Sequence, residues 1–540
     1  MNEPHPRTRV LLIGGTGVFG SRLATGLRKQ PGVVVRVAGR GADNDVRLDC
    51  DAPDLAARIA AEEPDIVIDA AGPFQTYGDD PYRVARAAIG IRAHYLDLSD
   101  DAGFTTGIAA LDGAAKDAGV ALLSGVSTVP AISSAAVEAL SDGLDDIHLI
   151  DSFIVPGNRA PRGLAVMRAI LAQAGQRMNV WRAGRDETVR GWGRLRRVDL
   201  PGLGRRWVSV IGAPDLTLFP TRYRARSVTF GAGLELWFMH LGLWAMALPV
   251  RWGLVPSLAP VARPMRWVAG LFERMGTDRG GMRTRVVGSG PAGTDIRDWT
   301  VIAEAGDGPH IPALPGRVMV AKLIAGDVAP GARACVGAFT LAELEAMSTD
   351  LALTYERRDT PFVPVFRQAL GASFDGLPAA VRDLHDVLAY RRWSGTARVD
   401  RGTGLRSRLI CAIVGFPHAT PDTDVTVTME RRDGTEIWIR DFGGKRFRSH
   451  LQSVGTPGDG VVTERFGPLT FRIGLTVVDG ALTYPVLSGR CGPLPIPAWL
   501  LPRSETTEAA DGDAATFDVK VSLPGAGLLV RYRGRLTPDG

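Results

Sequence analysis

Apolar residues in the first quarter of the chain come in short unbroken runs, separated by stretches with a helical period. Val10 to Ile13, Val33 to Ala38, Asp65 to Asp69, His94 to Leu98 and Val120 to Leu123 read as buried strands, with a shorter one at Val46 to Leu48. Between them, residues 18–29, 54–62 and 104–118 read as helices. Asp80-Pro81 reads as a cap and first helical residue, opening a helix that runs to Ile89. Strand and helix alternating in this way predict a doubly wound parallel sheet in the order 3-2-1-4-5-6.

The pattern loosens after residue 130. Residues 131–350 predict a second α/β domain, with strands at 147–155 and 300–305 and helices at 164–174 and 318–324. This domain would supply substrate walls and a dimer interface. Residues 355–540 change texture again: two helices, at 363–370 and 377–390, lead into short alternating runs. The runs at 425–429, 436–440, 469–473, 517–521 and 528–532 read as strands of a mostly antiparallel β domain. Asp433-Gly434 and Asp479-Gly480 sit where hairpin turns belong, and residues 504–514 read as an exposed loop.

The first strand ends in glycines, and these carry the clearest chemistry. Gly15-Thr16-Gly17-Val18-Phe19-Gly20 is a G-x-G-x-x-G between a strand and a helix. Gly15 would permit the tight turn, Gly17 would let backbone approach a pyrophosphate, and Gly20 would let helix and strand pack closely. The helix N-terminus would then face the anion. With Gly14, these residues are the expected cofactor cradle of a Rossmann-like domain over residues 1–130. At the end of the second strand, where an NAD-selective fold places an acid, the chain has Arg40, with Arg36 nearby and no acid before Asp43. A guanidinium suits the 2′-phosphate of NADP, so NADP(H) is the expected cofactor.

Composition narrows the remaining classes. Net charge is only +5, and the chain shows no nucleic-acid-binding signature, so no nucleic-acid partner is expected. The four cysteines are far apart, no C-x-x-C or zinc spacing occurs, and no metal site is expected. The N-terminus lacks the apolar core of an export signal, which with the scattered cysteines predicts a cytoplasmic protein. Residues 190–285 hold 16 arginines against five acids and six of the 11 tryptophans. Inside this stretch, residues 236–250 are nearly all apolar but short of the roughly 20 needed to span a bilayer. The segment 228–272 therefore reads either as a peripheral membrane contact at the inner face or as a buried helix at an internal or homodimer interface.

Two further segments, Ala70-Ala71-Gly72-Pro73-Phe74 and His94-Tyr95-Leu96-Asp97-Leu98-Ser99, complete a resemblance. With the glycine fingerprint, Arg40 and Ser127 to Pro130, they make residues 9–133 resemble the saccharopine dehydrogenase-like NADP-binding oxidoreductases. The likeness returns at residues 311–331. The last 180 or so residues resemble a bacterial domain of unknown function often fused to such oxidoreductases; residues 438–442, 464–468 and 530–534 carry that likeness. It implies an architecture and no activity.

Ligands of an open α/β sheet bind beyond the carboxyl ends of the strands. That puts Ala71, Gly72, Pro73 and Phe74 beside the cofactor, with Phe74 near the nicotinamide ring. Asp97 and Tyr77 are the candidate catalytic residues, Tyr77 to orient a carbonyl and Asp97 to orient a donor or a substrate amine. His94 would start its strand at the far end. No Tyr-x-x-x-Lys pair and no G-x-S-x-G elbow occurs, which removes the corresponding reductase and hydrolase mechanisms. The resemblance implies an NADP(H)-dependent oxidoreductase. By analogy with trans-acting enoyl reductases of that group, it would reduce a C=C or C=O bond of an apolar or acyl-chain small molecule. An amino-acid-type saccharopine-like dehydrogenase and a non-catalytic NADP(H) sensor or scaffold are the alternatives.

Overall fold

In β1 (Thr8–Ile13), side chains alternate between two cores: Val10 and Leu12 join one apolar cluster, Leu11 and Ile13 the other. A strand covered on both faces has no polar side, which is why its sequence is an unbroken apolar run. The same holds for β4 (Ile66–Asp69), β5 (His94–Asp97) and β6 (Ala121–Ser124), whereas β2 (Val33–Gly39) exposes Val34 and Arg36 on one face and β3 (Val46–Arg47) is a short edge. The computed structural model describes residues 7–161, 163–432 and 434–539. The export-signal reading rests partly on residues 1–6, and one expected turn on Asp433; those positions lie outside the described residues.

The six strands form the expected parallel sheet in the order 3-2-1-4-5-6, and a seventh, Gly331–Ala334, adds to β6 in parallel. Helices α1 (Val18–Leu27), α2 (Leu55–Ala61), α3 (Arg83–Gly90), α4 (Ala102–Gly107), α5 (Asp112–Ala118) and α6 (Ser133–Ser141) follow the strands. Two of them differ from expectation. The helix expected from Asp80-Pro81 begins only at Arg83, because Asp80 pairs with Arg86 and Tyr82 donates to the Phe104 carbonyl at 2.7 Å. The helix expected over 104–118 is two helices joined by a 3-10 turn, the first capped by Asp101, which accepts from the Phe104 N–H at 2.8 Å.

A second, mixed sheet of nine strands follows. Its main path runs through Gly193–Leu200, Gly204–Val210, Val228–Leu234, Asp146–Val155, Gly280–Gly290, Gly293–Ala303 and Leu353–Pro361, with the hairpin Arg177–Arg190 attached beside it. Helices α7 (Leu164–Gln173), α8 (Asp215–Tyr223), α9 (Trp237–Arg251) and α10 (Ala262–Leu271) are inserted between its strands. α11 (Leu314–Ala325) then carries the chain back to the first sheet, where its Gly316 packs on Leu23 of α1. Both sheets lie in one compact unit, reaching to Pro291 and from Asp295 to Thr360; the other is Ala292–Thr294 with the chain from Pro361 onward.

That second unit is a thirteen-strand antiparallel sheet, with the helices Val365–Leu370 and Ala379–His385 contributing to its core. The Asp479-Gly480 turn joins Thr476–Val478 to Ala481–Thr483, both turn residues having positive φ, as a tight hairpin requires. Residues 504–514, expected as a loop, instead lie in two paired strands, Arg503–Asp511 and Ala514–Leu523, with only 512–513 as the turn between them. Their polar composition hides an alternation in which Thr506 and Glu508 turn inward, and Glu508 is satisfied by buried His385 at 2.6 Å.

The glycine turn leaves no room for a side chain. A Cβ on Gly20 would stand 2.3 Å from the Gly14 carbonyl oxygen. Gly20→Ala should therefore lower the urea midpoint by the equivalent of about 1–3 kcal/mol, whereas Gly113→Ala, which meets nothing within 4 Å, should not.

Candidate active site

The turn after β1 is built by three close approaches. Gly14 takes the positive φ (76°), and a Cβ there would lie 2.7 Å from the backbone of Ala70 at the end of β4. This corrects the expected division of labour: Gly14, not Gly15, makes the left-handed turn, and Gly15 is needed because a Cβ would meet Val37 at 2.6 Å. Gly17 is the N-cap of α1 and donates its N–H to the Gly14 carbonyl at 2.9 Å. It supplies no side-chain cap, and the first turn of α1 has no acid, so the positive end of the helix is left for an external anion.

That end opens into a cleft of about 1120 Å³, larger than the roughly 300–1,000 Å³ of a single small-ligand pocket. One wall is the carboxyl edge of the first sheet: Gly14, Thr16 and Gly17, the turn Ala71, Gly72 and Pro73, and Arg40 after β2. The opposite wall comes from α7, the residues after it and the start of α8, including Arg168, Gln173, Arg177, Met178 and Leu216. Gln173 is held by accepting the Gly212 N–H at 2.9 Å. No sequence motif marks this wall; only the fold brings it opposite the glycines.

The two arginines after the glycines part company in the structure. Arg36 pairs with Glu62, while Arg40 is exposed at the cleft edge with no ion-pair partner among the described residues. Asp43, the first acid after β2, does not line the cleft. Arg83, which sequence reasoning passed over, clamps the rim: it donates to the carbonyls of Cys50 and Tyr77, both at 2.6 Å, and pairs with Asp51. The Cys50 thiol is pushed up to about 12 by burial, helped by Asp69, so it stands in the cleft as a neutral thiol.

Two buried carboxyls end neighbouring strands in register, Asp69 on β4 and Asp97 on β5. Asp69 accepts from the Ala71 N–H at 3.0 Å and from the Tyr77 hydroxyl at 3.0 Å on each oxygen. One oxygen of Asp97 accepts from the Ser99 N–H (3.0 Å), the Ser124 hydroxyl (2.9 Å) and the Gly125 N–H (2.9 Å); the other is buried without a partner. Burial pushes Asp69 up to about 6 and Asp97 up to about 7, against the opposing pull of those hydrogen bonds.

Tyr77 thus reaches the cleft wall with its hydroxyl held on Asp69, and burial raises it further from ionisation. Phe74 does not face the cleft as expected. It is buried among Tyr77, Phe104 and Tyr82, with ring centroids 5.1 Å from Tyr77 and 4.9 Å from Phe104, because three aromatic neighbours offer it more apolar contact than the open turn. His94 sits at the opposite strand end and accepts from the Ala121 N–H at 3.0 Å. No three His, Cys, Asp or Glu among the described residues could hold a metal ion, and no helix among them is long and apolar enough to cross a membrane.

A Rossmann-like doubly wound sheet with a glycine cradle and a cleft at its carboxyl edge is the class that these features define. Over residues 377–536 the chain matches the family model of a domain of unknown function, DUF4166. No curated protein matches the chain. Among solved structures, it is similar to GenD2 from gentamicin A biosynthesis in complex with NAD: 12% identity, 67% of this chain and 98% of that chain covered, TM-score 0.31. It is also similar to the C. glutamicum DAP dehydrogenase in complex with DAP (14%, 64% and 99%, TM-score 0.33). An engineered D-amino acid dehydrogenase bound to NADP+ is a further neighbour (14%, 64% and 100%, TM-score 0.33).

The raised Asp97 carboxyl has a measurable consequence. Folding favours its protonated form, so its contribution to stability is full below the unfolded value near 4 and is lost as pH rises through about 7. Asp97→Asn keeps an oxygen for Ser124 and Gly125 but cannot ionise. Between about pH 4 and about pH 8, urea unfolding should show the variant gaining about 1–3 kcal/mol relative to wild type.

Proposed function

We propose that the protein is an NADP(H)-dependent oxidoreductase that reduces a C=C or C=O bond of an apolar or acyl-chain substrate. The observation that carries the reading is Arg40, an exposed guanidinium with no ion-pair partner among the described residues, at the edge of a cleft walled by the glycine cradle. The sequence resemblance to saccharopine dehydrogenase-like oxidoreductases points the same way. Bound there, NADPH supplies hydride; the protein supplies binding, orientation and a proton. The bare backbone at Gly14 and Gly17 and the uncapped end of α1 suit the pyrophosphate, and Arg40 suits the 2′-phosphate. Ala71, Gly72 and Pro73 line the same cleft and would border the nicotinamide of a bound cofactor.

The apolar residues of the far wall, among them Ala169, Ala172, Met178 and Leu216, suit an acyl body. One of the two candidate residues reaches the cleft: the Tyr77 hydroxyl, oriented by Asp69, could hold a substrate carbonyl, whereas Asp97 is fully buried, does not line the cleft and acts only through the loop it ties. A second reading, an amino-acid-type dehydrogenase, is favoured by Arg168 and Arg177, two exposed arginines on the same wall that suit substrate carboxylates.

Arg40→Asp should raise the Kd for NADPH at least about tenfold in a fluorescence titration and leave that for NADH within about twofold. Tighter binding of NADH than NADPH by wild type would sink the NADP assignment. The substrate reading is tested by following NADPH oxidation with enoyl- and ketoacyl thioesters beside imino diacids. Turnover of the thioesters supports the acyl reading, and turnover of the diacids alone moves the protein to the second. If deuterium from labelled NADPH reaches no product, a cofactor sensor replaces both.

A further inference from the structure

The basic, tryptophan-rich stretch divides into an inside and an outside. Many of its arginines are internal: Arg196 holds buried Asp151 at 2.7 Å through one nitrogen, Arg285 holds Asp298 at 2.7 Å, and Arg251 donates to the Trp192 carbonyl at 2.8 Å. His240, which interrupts the apolar run, is buried against the Ser209 hydroxyl at 3.0 Å, and burial lowers it to about 4. These residues belong to the core of the unit.

α9 is apolar on two opposite sides. His240, Leu243, Ala247 and Val250 are buried. Trp237, Leu241, Ala245, Leu248 and Trp252 form a second stripe, about 80° wide at 3.6 residues per turn, in which Trp237, Ala245 and Trp252 are exposed and Leu241 and Leu248 half-buried. Its two ends are tryptophans 64% and 68% exposed. Phe238 packs on Phe272 at 5.2 Å, so the start of α9 lies beside the end of α10, where Trp267 is 68% and Leu271 60% exposed. A monomeric surface rarely leaves so many large apolar side chains together in water.

We propose that this helical pair docks on an anionic lipid bilayer surface, α9 lying in the interface plane. Three features select this occupant. Tryptophans at both ends of a helix about 22 Å long match the preference of indole for the headgroup level, and the helix is too short to span. Residues 237–275 carry four arginines and one glutamate, and Arg263, Arg266 and Arg274 are exposed, which complements anionic headgroups. A second copy of the chain fits less well. A two-fold contact would set this face against itself, and Glu273 alone would offset the facing arginines. The turn Ala259–Val261 between the helices reaches the cleft, since Ala259 lines it. A docked protein would thus hold its cleft wall close to the membrane. Resting on the oxidoreductase reading, this gives an apolar substrate a short path from the bilayer.

The test is co-sedimentation of the full chain with phosphatidylcholine vesicles, alone or mixed with phosphatidylglycerol at about 3:1, with NADPH titration run in parallel. Wild type is expected to pellet with the mixed vesicles and to be released by salt. The combined Trp237→Ser, Trp252→Ser and Trp267→Ser variant should lose at least about tenfold in partitioning, with NADPH affinity and thermal midpoint kept. Arg263→Gln with Arg266→Gln should weaken binding to the mixed vesicles and reduce its salt dependence, Arg274 remaining. The proposal is overturned if wild type stays in the supernatant, if the tryptophan variant binds as well as wild type, or if sedimentation velocity shows a dimer that this variant dissolves. Because NADPH affinity is read separately, failure of docking and failure of the cofactor reading are distinguishable.

Discussion

The carbonyl oxygen of Gly14 organises the front of the molecule. It accepts the N–H of Gly17, and it occupies the space that a side chain on Gly20 would need. Gly14 itself lies against the backbone at Ala70, so strand β1, helix α1 and the turn after β4 meet at van der Waals distance. With no side chains to separate them, α1 points its uncapped end at one place only. The cleft, the exposed Arg40 and the turn Ala71 to Pro73 are arranged around that place, and lengthening any of these contacts would misalign them together.

Behind the turn, the two strand-end carboxyls convert sheet register into loop geometry. Asp69 gathers Ala71 and Tyr77, and Asp97 gathers Ser99, Ser124 and Gly125, so each carboxyl ties its own strand to the loop that borders the cleft. Burying two acids side by side would be costly if both stayed ionised, and their upward shifts express that cost. The same residues are therefore braces of the loops at the cleft edge, held from beneath by carboxyls that do not themselves reach it.

Arginine serves two purposes in this chain. Where a carboxylate waits in the interior, as at Asp151 and Asp298, the guanidinium is part of the fold. Where no ion pair forms among the described residues, as at Arg40, Arg263 and Arg266, it faces solvent. Composition alone counts these equally, so the basicity of residues 190–285 overstates the charge that the surface presents.

Strands buried on both faces leave unbroken apolar runs, and the glycine spacing leaves little freedom after β1, so the first sheet, its order and the cradle were legible in the sequence. Local signals were weaker wherever a side chain chose a distant partner. The helix start at Arg83 was hidden because Tyr82 holds the Phe104 carbonyl, and the strands at 503–523 were hidden because the inward Glu508 finds His385, more than a hundred residues earlier. The partly exposed outer stripe of α9 was undetermined for the same reason, since an apolar helix with two greasy sides does not say which of them is covered. The far wall of the cleft belongs wholly to the tertiary structure. Arg168, Gln173, Arg177 and Leu216 form no motif, and they face the glycines only because α7 and α8 are inserted between strands of the second sheet. Periodicity and steric necessity act between neighbours in sequence, and so the chain determines by itself what those decide; which distant surfaces meet is decided by packing.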